Sequence, residues 1–200
     1  MPVLSASDSL DVGLALSNPV LESASATLIA RDYSGTLIQG PGITNPKTLL
    51  LPPQSQIALL ASEIFGAGIS TGWVEVQLSS PDVQGFFLLF DSRISFMDGA
   101  ALSSVPTNRL IFPKVTSNPS TANWLTLINT GDQAINRVAI SLFENSGRLV
   151  AQGYFPLQPR AVLSGRITDL FVNLGPFDGY AVAEATALPV RKVGHTKSAM

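Results

Sequence analysis

The chain repeats itself, and any fold proposed for it has to accommodate that repeat. Laid over itself at one constant offset, Pro2 falls on Pro113, Leu14 on Leu125, Leu16 on Leu127 and Asn18 on Asn129. One inserted residue later, Ser34-Gly35 falls on Ser146-Gly147 and Leu37 on Leu149. A shorter loop then brings Pro53 onto Pro159, Ser62-Glu63-Ile64-Phe65 onto Thr168-Asp169-Leu170-Phe171, and Gly72-Trp73 onto Gly179-Tyr180. Each match is weak alone, but their collinear order spans the chain. It reads as two copies of a unit of about 100 residues, meeting near residue 105.

Within each copy the apolar period is two. Val12, Leu14 and Leu16 alternate with Gly13, Ala15 and Ser17, and Ala26, Leu28 and Ala30 alternate with Thr27, Ile29 and Arg31. Val138, Ile140 and Leu142 keep the pattern in the second copy, as do Trp73 to Leu78 and Tyr180 to Glu184. A strand sends successive side chains to opposite faces, so the pattern predicts sheets buried on one side. Asp32-Tyr33-Ser34-Gly35 and Glu144-Asn145-Ser146-Gly147 fall between apolar runs, each with a glycine free to take positive φ in a turn. With 14 Pro and 16 Gly punctuating short strands, the expected class is all-β, a sandwich in each copy rather than a parallel α/β sheet. No segment reads as a helix of ten residues or more.

One short helical turn is expected per copy. Ser62 and Thr168 offer a hydroxyl N-cap, Glu63 and Asp169 a carboxylate in the first turn, and Ile64/Phe65 and Leu170/Phe171 an apolar plug for the core. That reading accounts for hydroxyl, acid and apolar pair together, where a metal-ligand or acid–base reading accounts only for the carboxylate.

The expected boundaries are residues 1–98 for the first sandwich and 106–190 for the second, with a polar tail over 191–200. Asp98-Gly99-Ala100 and Pro106 read as a short linker. Copy one closes with the apolar run Val83 to Phe90; copy two has the polar Val190 to Lys197 in that place. A weak closing strand would leave a sheet edge in copy two open to strand-mediated self-association.

Composition narrows function by exclusion. The chain of 200 residues is 46% hydrophobic and 13% charged, with mean hydropathy +0.30, which a disordered solvated chain does not sustain. Net charge −2 lacks the basic excess that nucleic acid or an anionic membrane surface demands. With no cysteine there is no disulfide framework, thiolate nucleophile or cysteine zinc site. The longest aromatic-aliphatic run, Phe86-Phe87-Leu88-Leu89-Phe90, is far below the ~18 residues of a membrane span. The first residues lack the basic region and apolar stretch of a signal peptide.

Catalytic patterns are missing as well. The one histidine, His195, lies in the polar tail without a nucleophile or orienting acid beside it in sequence. There is no phosphate loop, His-Glu-x-x-His or calcium loop, and Gly40-Pro41-Gly42 reads as a turn. Asp8 and Asp11 could lend oxygens to calcium, but the matching loop Asn118 to Ala122 carries no acid. Glu75 and Glu184 sit off the buried face of their strands and read as solvated sheet positions, in different copies and so not a glycosidase pair. The expectation is a non-enzyme with no cofactor, no metal and no catalytic residue.

Aromatics supply the candidate surface. Trp73 and Tyr180 occupy matching positions, which implies a packing role. If Leu125 and Leu127 face the core, Trp124, Thr126 and Ile128 face outward, where copy one presents Gly13, Ala15 and Ser17. An outward Trp/Ile pair in one copy suits an inter-domain or inter-chain interface, with full burial and a sugar platform as the alternatives.

The succession of Leu-x-Leu-x-Asn-(Pro/Thr), a strand ending in Ser-Gly, a Pro-led strand, the (Ser/Thr)-(Glu/Asp)-(Ile/Leu)-Phe turn and a Gly-aromatic strand resembles tandem repeats of bacterial secreted and cell-surface proteins. The resemblance covers residues 2–90 and 106–190. It implies tandem immunoglobulin-like or fibronectin III-like β-sandwiches, export to the cell surface or beyond, and no catalytic residues. The function it implies is a non-catalytic spacer or adhesion-type module whose partner is a protein or a surface glycan. The alternative is a carbohydrate-binding module using Trp124 together with Tyr154.

Overall fold

The computed structural model describes residues 1, 4, 10–91, 93–95, 97–102, 106–118 and 121–185. Its strands are β1 (Leu10–Asn18), β2 (Ala24–Arg31), β3 (Lys47–Leu51), β4 (Ser55–Leu60), β5 (Trp73–Leu78), β6 (Gln84–Asp91), β7 (Met97–Ala101), β8 (Arg109–Asn118), β9 (Thr121–Ala122), β10 (Trp124–Ile128), β11 (Ile135–Glu144), β12 (Leu149–Leu157), β13 (Val162–Arg166) and β14 (Phe177–Ala185). Two short helices, α1 (Ala61–Phe65) and α2 (Ile167–Leu170), interrupt them. The protein is all-β, with antiparallel sheets consistent with a β-sandwich.

Two compact units result. Unit 1 is Met1–Pro106 together with Leu125–Gln133 and Gln158–Gly165; unit 2 is Thr107–Trp124, Ala134–Leu157 and Arg166–Met200. Unit 1 contains a four-stranded sheet ordered β4-β1-β6-β7 and a three-stranded sheet ordered β3-β2-β5. Val12, Leu14 and Leu16 of the first sheet and Ala26, Leu28 and Ala30 of the second enter one apolar cluster with Leu51, Ile64, Phe65 and Val74. The period-two pattern therefore does what the pleat requires, and each fully buried Leu or Phe contributes roughly 1.5–3 kcal/mol. In unit 2 the five-stranded sheet runs β12-β11-β14-β8-β9 and buries Val138, Ile140, Leu142, Ala181 and Ala183. Strands β10 and β13, most of whose residues belong to unit 1, pair as a two-stranded sheet in which Leu125 and Leu127 are buried.

Two matched asparagines end β1 and close the loop after β10. Asn18, wholly buried, donates its amide to the carbonyls of Glu22 (2.8 Å), Leu51 (3.0 Å) and Pro52 (3.0 Å). Asn129, also buried, donates to the carbonyls of Gln133 (2.7 Å) and Gln158 (3.0 Å) and accepts from the Gly131 amide at 3.0 Å. Each side chain ties the loop after its strand to the end of a later strand, Leu51 of β3 or Gln158 just past β12.

Three sequence expectations are corrected by the geometry. The helix caps lie earlier than Ser62 and Thr168: Leu60 and Arg166 are the N-caps, in extended conformation, and neither helix has a side-chain cap from a hydroxyl. Leu60 is still paired with Gly13 in the sheet, so the helix begins directly at the strand end. The first-turn acid serves the cap instead, Glu63 accepting the Leu60 N–H at 2.7 Å. Ile64, Phe65 and Phe171 are buried as the plug requires, whereas Leu170 is half-buried. The second correction concerns Asp98-Gly99-Ala100, which are not a linker but the middle of β7, paired with Leu89, Leu88 and Phe87. The third is Glu75, which is not a solvated position but a member of a charge cluster in unit 1.

The two Ser-Gly loops are turns with glycine at positive φ, Gly35 at 92° and Gly147 at 85°. Gly35 is doubly constrained, because a Cβ there would stand 2.6 Å from the Pro159 carbonyl oxygen. Asp32 organises its turn, accepting from the Ser34 amide (2.8 Å), the Ser34 hydroxyl (2.6 Å) and the Thr36 amide (3.0 Å). Partial burial alone would raise its pKa. The hydroxyl and amide donors together outweigh that and hold the carboxyl below its ordinary value. A depressed folded pKa contributes stability above the unfolded value near 3.8, and that contribution disappears as pH falls through the folded value. Asp32→Ala should therefore lose stability relative to wild type at pH 7, and the gap should narrow at pH 2.5. Urea titrations of both proteins at the two pH values test this; a gap independent of pH contradicts it.

Candidate functional site

The strand β10 alternates as its sequence predicts: Trp124 is exposed (61%), Leu125 buried, Thr126 half-buried, Leu127 buried and Ile128 half-buried. Thr126 shares a hydroxyl–hydroxyl hydrogen bond with Ser164 of β13 at 3.0 Å. The Arg166 guanidinium lies 5.9 Å from the Trp124 ring centroid, at the outer reach of a cation–π contact. Trp124 thus presents most of its indole to solvent.

Tyr154 of β12 is half-exposed, but one face of its ring is already occupied. The Arg137 guanidinium lies 3.7 Å from the ring centroid, and the phenol donates to Gln152, whose amide reaches Ser141 at 2.8 Å. A pyranose stacking on that face would have to displace the cation first.

Sequence reasoning misses the most organised polar cluster, which lies in unit 1. Strand alternation makes Glu75 a solvated position, yet its side chain is only 17% exposed. Its Oε2 stands 3.3 Å from Arg160 Nη1 and 3.6 Å from Arg31 Nε, while Oε1 accepts from Gln77 at 2.9 Å. Neither Arg31 Nε nor Glu75 Oε2 completes a hydrogen bond, so these contacts are coulombic. Arg160 continues the chain of charges to Asp132, its Nε and Nη2 at 2.9 and 2.8 Å from Oδ1. Arg160 itself takes a left-handed φ of 59°, with its amide donating to Gly131 O and its carbonyl accepting from the Trp73 indole at 3.0 Å. Trp73 is 2% exposed, so this donor is desolvated. The string Arg31–Glu75–Arg160–Asp132 alternates in sign and compensates each charge by its neighbour. It joins Gln158–Gly165 to β2 and β5, assisted by the Val162 amide donating to Tyr33 O.

Three acids of unit 2 are committed to ion pairs. Glu184, exposed, pairs with Arg109 at 2.8 Å; Asp178 pairs with Lys114; Glu144 pairs with Arg148, whose hydrogen bond holds the Glu144 carboxyl below its ordinary value. Tyr180 is half-buried and stacks on Phe143 with centroids 5.2 Å apart. Asp8 and His195 lie outside the described residues, as does the segment Val190 to Lys197. Among the described residues no three metal-ligating side chains converge, and no helix is long and apolar enough to cross a membrane. No family model and no curated protein matches the chain.

Proposed function

We propose that the chain is a non-catalytic structural or interaction module of an exported protein, built on two copies of one sandwich repeat over residues 1–98 and 106–190. The observation that carries the repeat is strand order: β3-β2-β5 in one copy has its counterpart in β12-β11-β14, and β4-β1 in β13-β10. The matched asparagines Asn18 and Asn129 support the same reading, since each pins the loop after an equivalent strand. The spacer role is supported by how the ionisable side chains are used, in a turn, a helix cap and ion pairs. Presentation of neighbouring domains, or contact with a protein through the exposed aromatic of β10, fits such a module.

Exposure of Trp124 favours one competing reading, a carbohydrate-binding module on that indole. A glycan-array and polysaccharide screen with wild type and Trp124→Ala separates the two. The expected result is no glycan binding by either protein. Binding by wild type that falls at least about tenfold in the variant would replace the spacer reading with the carbohydrate one.

A further inference from the structure

Trp73 is buried against a turn, outside the apolar core of unit 1. It points to the outer face of the sheet β3-β2-β5 with Arg31 and Glu75, while Val74 beside it enters the core cluster. The turn Gln158-Pro159-Arg160 lies on that face. Arg160 O accepts from the Trp73 indole at 3.0 Å, Arg160 Nη1 stands 3.3 Å from Glu75, and the Val162 amide donates to Tyr33 O at 2.9 Å. Both halves of this contact occur a second time. Pro52-Pro53-Gln54 is the same turn: Gln54 has φ of 51° against 59° at Arg160, and its amide donates to Val20 O as that of Arg160 does to Gly131 O. Asn18 holds the Pro52 carbonyl as Asn129 holds that of Gln158, and Pro52, Pro53 and Gln54 are all exposed. Strand pairing identifies the second face. Arg31 pairs with Trp73 and Ile29 with Glu75, and Phe143 pairs with Tyr180 and Ser141 with Val182 in the same relative positions. Phe143 and Tyr180 stack there, both half-buried. Among the described residues the contacts of a docked turn are missing at this face. The Asn145 carbonyl, in the place of Tyr33, receives no amide, and a Cβ on Gly147, in the place of Gly35, would meet nothing within 4 Å.

We infer that the Phe143/Tyr180 face receives the Pro52-Pro53-Gln54 turn of another copy of this chain, head to tail. The inference rests on the repeat proposed above. The charges match in both settings. Arg160 docks where Glu75 supplies an anion, whereas neutral Gln54 meets Phe143 and Val182, against which an arginine would find no acid. The Tyr180 phenol takes the part of the Trp73 indole and donates to the Gln54 carbonyl. The Gln56 amide, on the edge strand β4, takes that of Val162 and donates to Asn145 O. Each contact engages one turn and one face, so a dimer keeps one of each free and growth continues. One turn buries less than the about 800 Å² per partner of a standard interface, so the association is weak, with a dissociation constant of about 0.1–1 mM.

The test is sedimentation equilibrium of the 200-residue chain from micromolar to millimolar concentration. Wild type is expected to associate reversibly and to continue past the dimer. Gln54→Glu, on an exposed turn, sets a carboxylate against the aromatic face, and Tyr180→Ala removes the donor and half of the stack. Each should weaken association at least about tenfold. Tyr180→Phe keeps the stack on Phe143 and loses only the donor, a weakening of about threefold. Near-ultraviolet circular dichroism reports the fold of every variant. Gln54→Glu retains a working face and Tyr180→Ala a working turn, so the two mixed should form a 1:1 dimer that grows no further. A wild type that stays monomeric at millimolar concentration overturns the inference, while the spacer reading stands or falls on the glycan screen. So does association that these variants leave unchanged, or a mixture in which the two variants fail to pair.

Discussion

Asn18→Asp is expected to destabilise unit 1 by about 3–5 kcal/mol, the order found when a charge is buried without a partner. The substitution changes almost no volume. It removes the amide that donates to the Glu22, Leu51 and Pro52 carbonyls and turns a carboxylate oxygen toward them at a wholly buried position. Asn18→Leu should cost less, about 1–3 kcal/mol, because of the three acceptors only the Leu51 carbonyl belongs to a buried residue, Glu22 and Pro52 being exposed to water. The two variants also differ in pH dependence. The introduced carboxyl has a folded pKa raised above its unfolded value by desolvation and the facing carbonyls, so the native state binds the extra proton. Stability of the aspartate variant is therefore greatest below the unfolded pKa and is lost as pH rises through the folded one. Urea denaturation followed by Trp73 fluorescence in a Trp124→Phe background reads unit 1 directly. An aspartate variant as stable as wild type at pH 7 would refute the role assigned to Asn18.

Trp73→Ala should produce a loss of similar size, about 3–5 kcal/mol, from the cavity left by a side chain only 2% exposed. It also deletes the indole donor to Arg160 O. Trp73→Phe retains most of the packing and loses the donor, so it should fall between alanine and wild type. A second readout distinguishes this from generic cavity formation. The segment Gln158–Gly165 depends on the Trp73 indole, the Glu75 carboxylate and the Tyr33 carbonyl for its attachment. Limited trypsin digestion should open the Arg160–Ala161 bond in Trp73→Ala well before it opens in wild type. Equal cleavage rates would remove the indole from that role.

Strand periodicity is legible because burial on one face leaves a mark at every second residue: Val12, Leu14 and Leu16 announce β1, and Leu125 and Leu127 announce β10. The outward direction of Trp124 follows from the same parity. Asn18 and Asn129 are visible as a match, but their multiple hydrogen bonds are not, because the acceptors are backbone carbonyls that every residue has. Glu75 shows why parity fails for polar positions. It does point away from the apolar core, yet Arg160, distant in sequence, covers it. The caps fall two residues before the hydroxyls because the sheet itself holds Leu60 extended up to the first helical turn, in place of the commoner side-chain device. Asp98 to Ala100 read as a linker for want of apolar alternation, and an exposed edge strand such as β7 needs none.

The membership of unit 1 also sets a timetable for its birth. Its last contributing segment, Gln158–Gly165, leaves the ribosome long after Pro106. At roughly 5–20 residues per second the intervening stretch takes about 3–12 s to synthesise. Through that interval the nascent first hundred residues lack the arginine that neutralises Glu75 and the carbonyl that receives the Trp73 indole. Slower synthesis between residues 106 and 158 should therefore prolong the exposure of the unfinished unit.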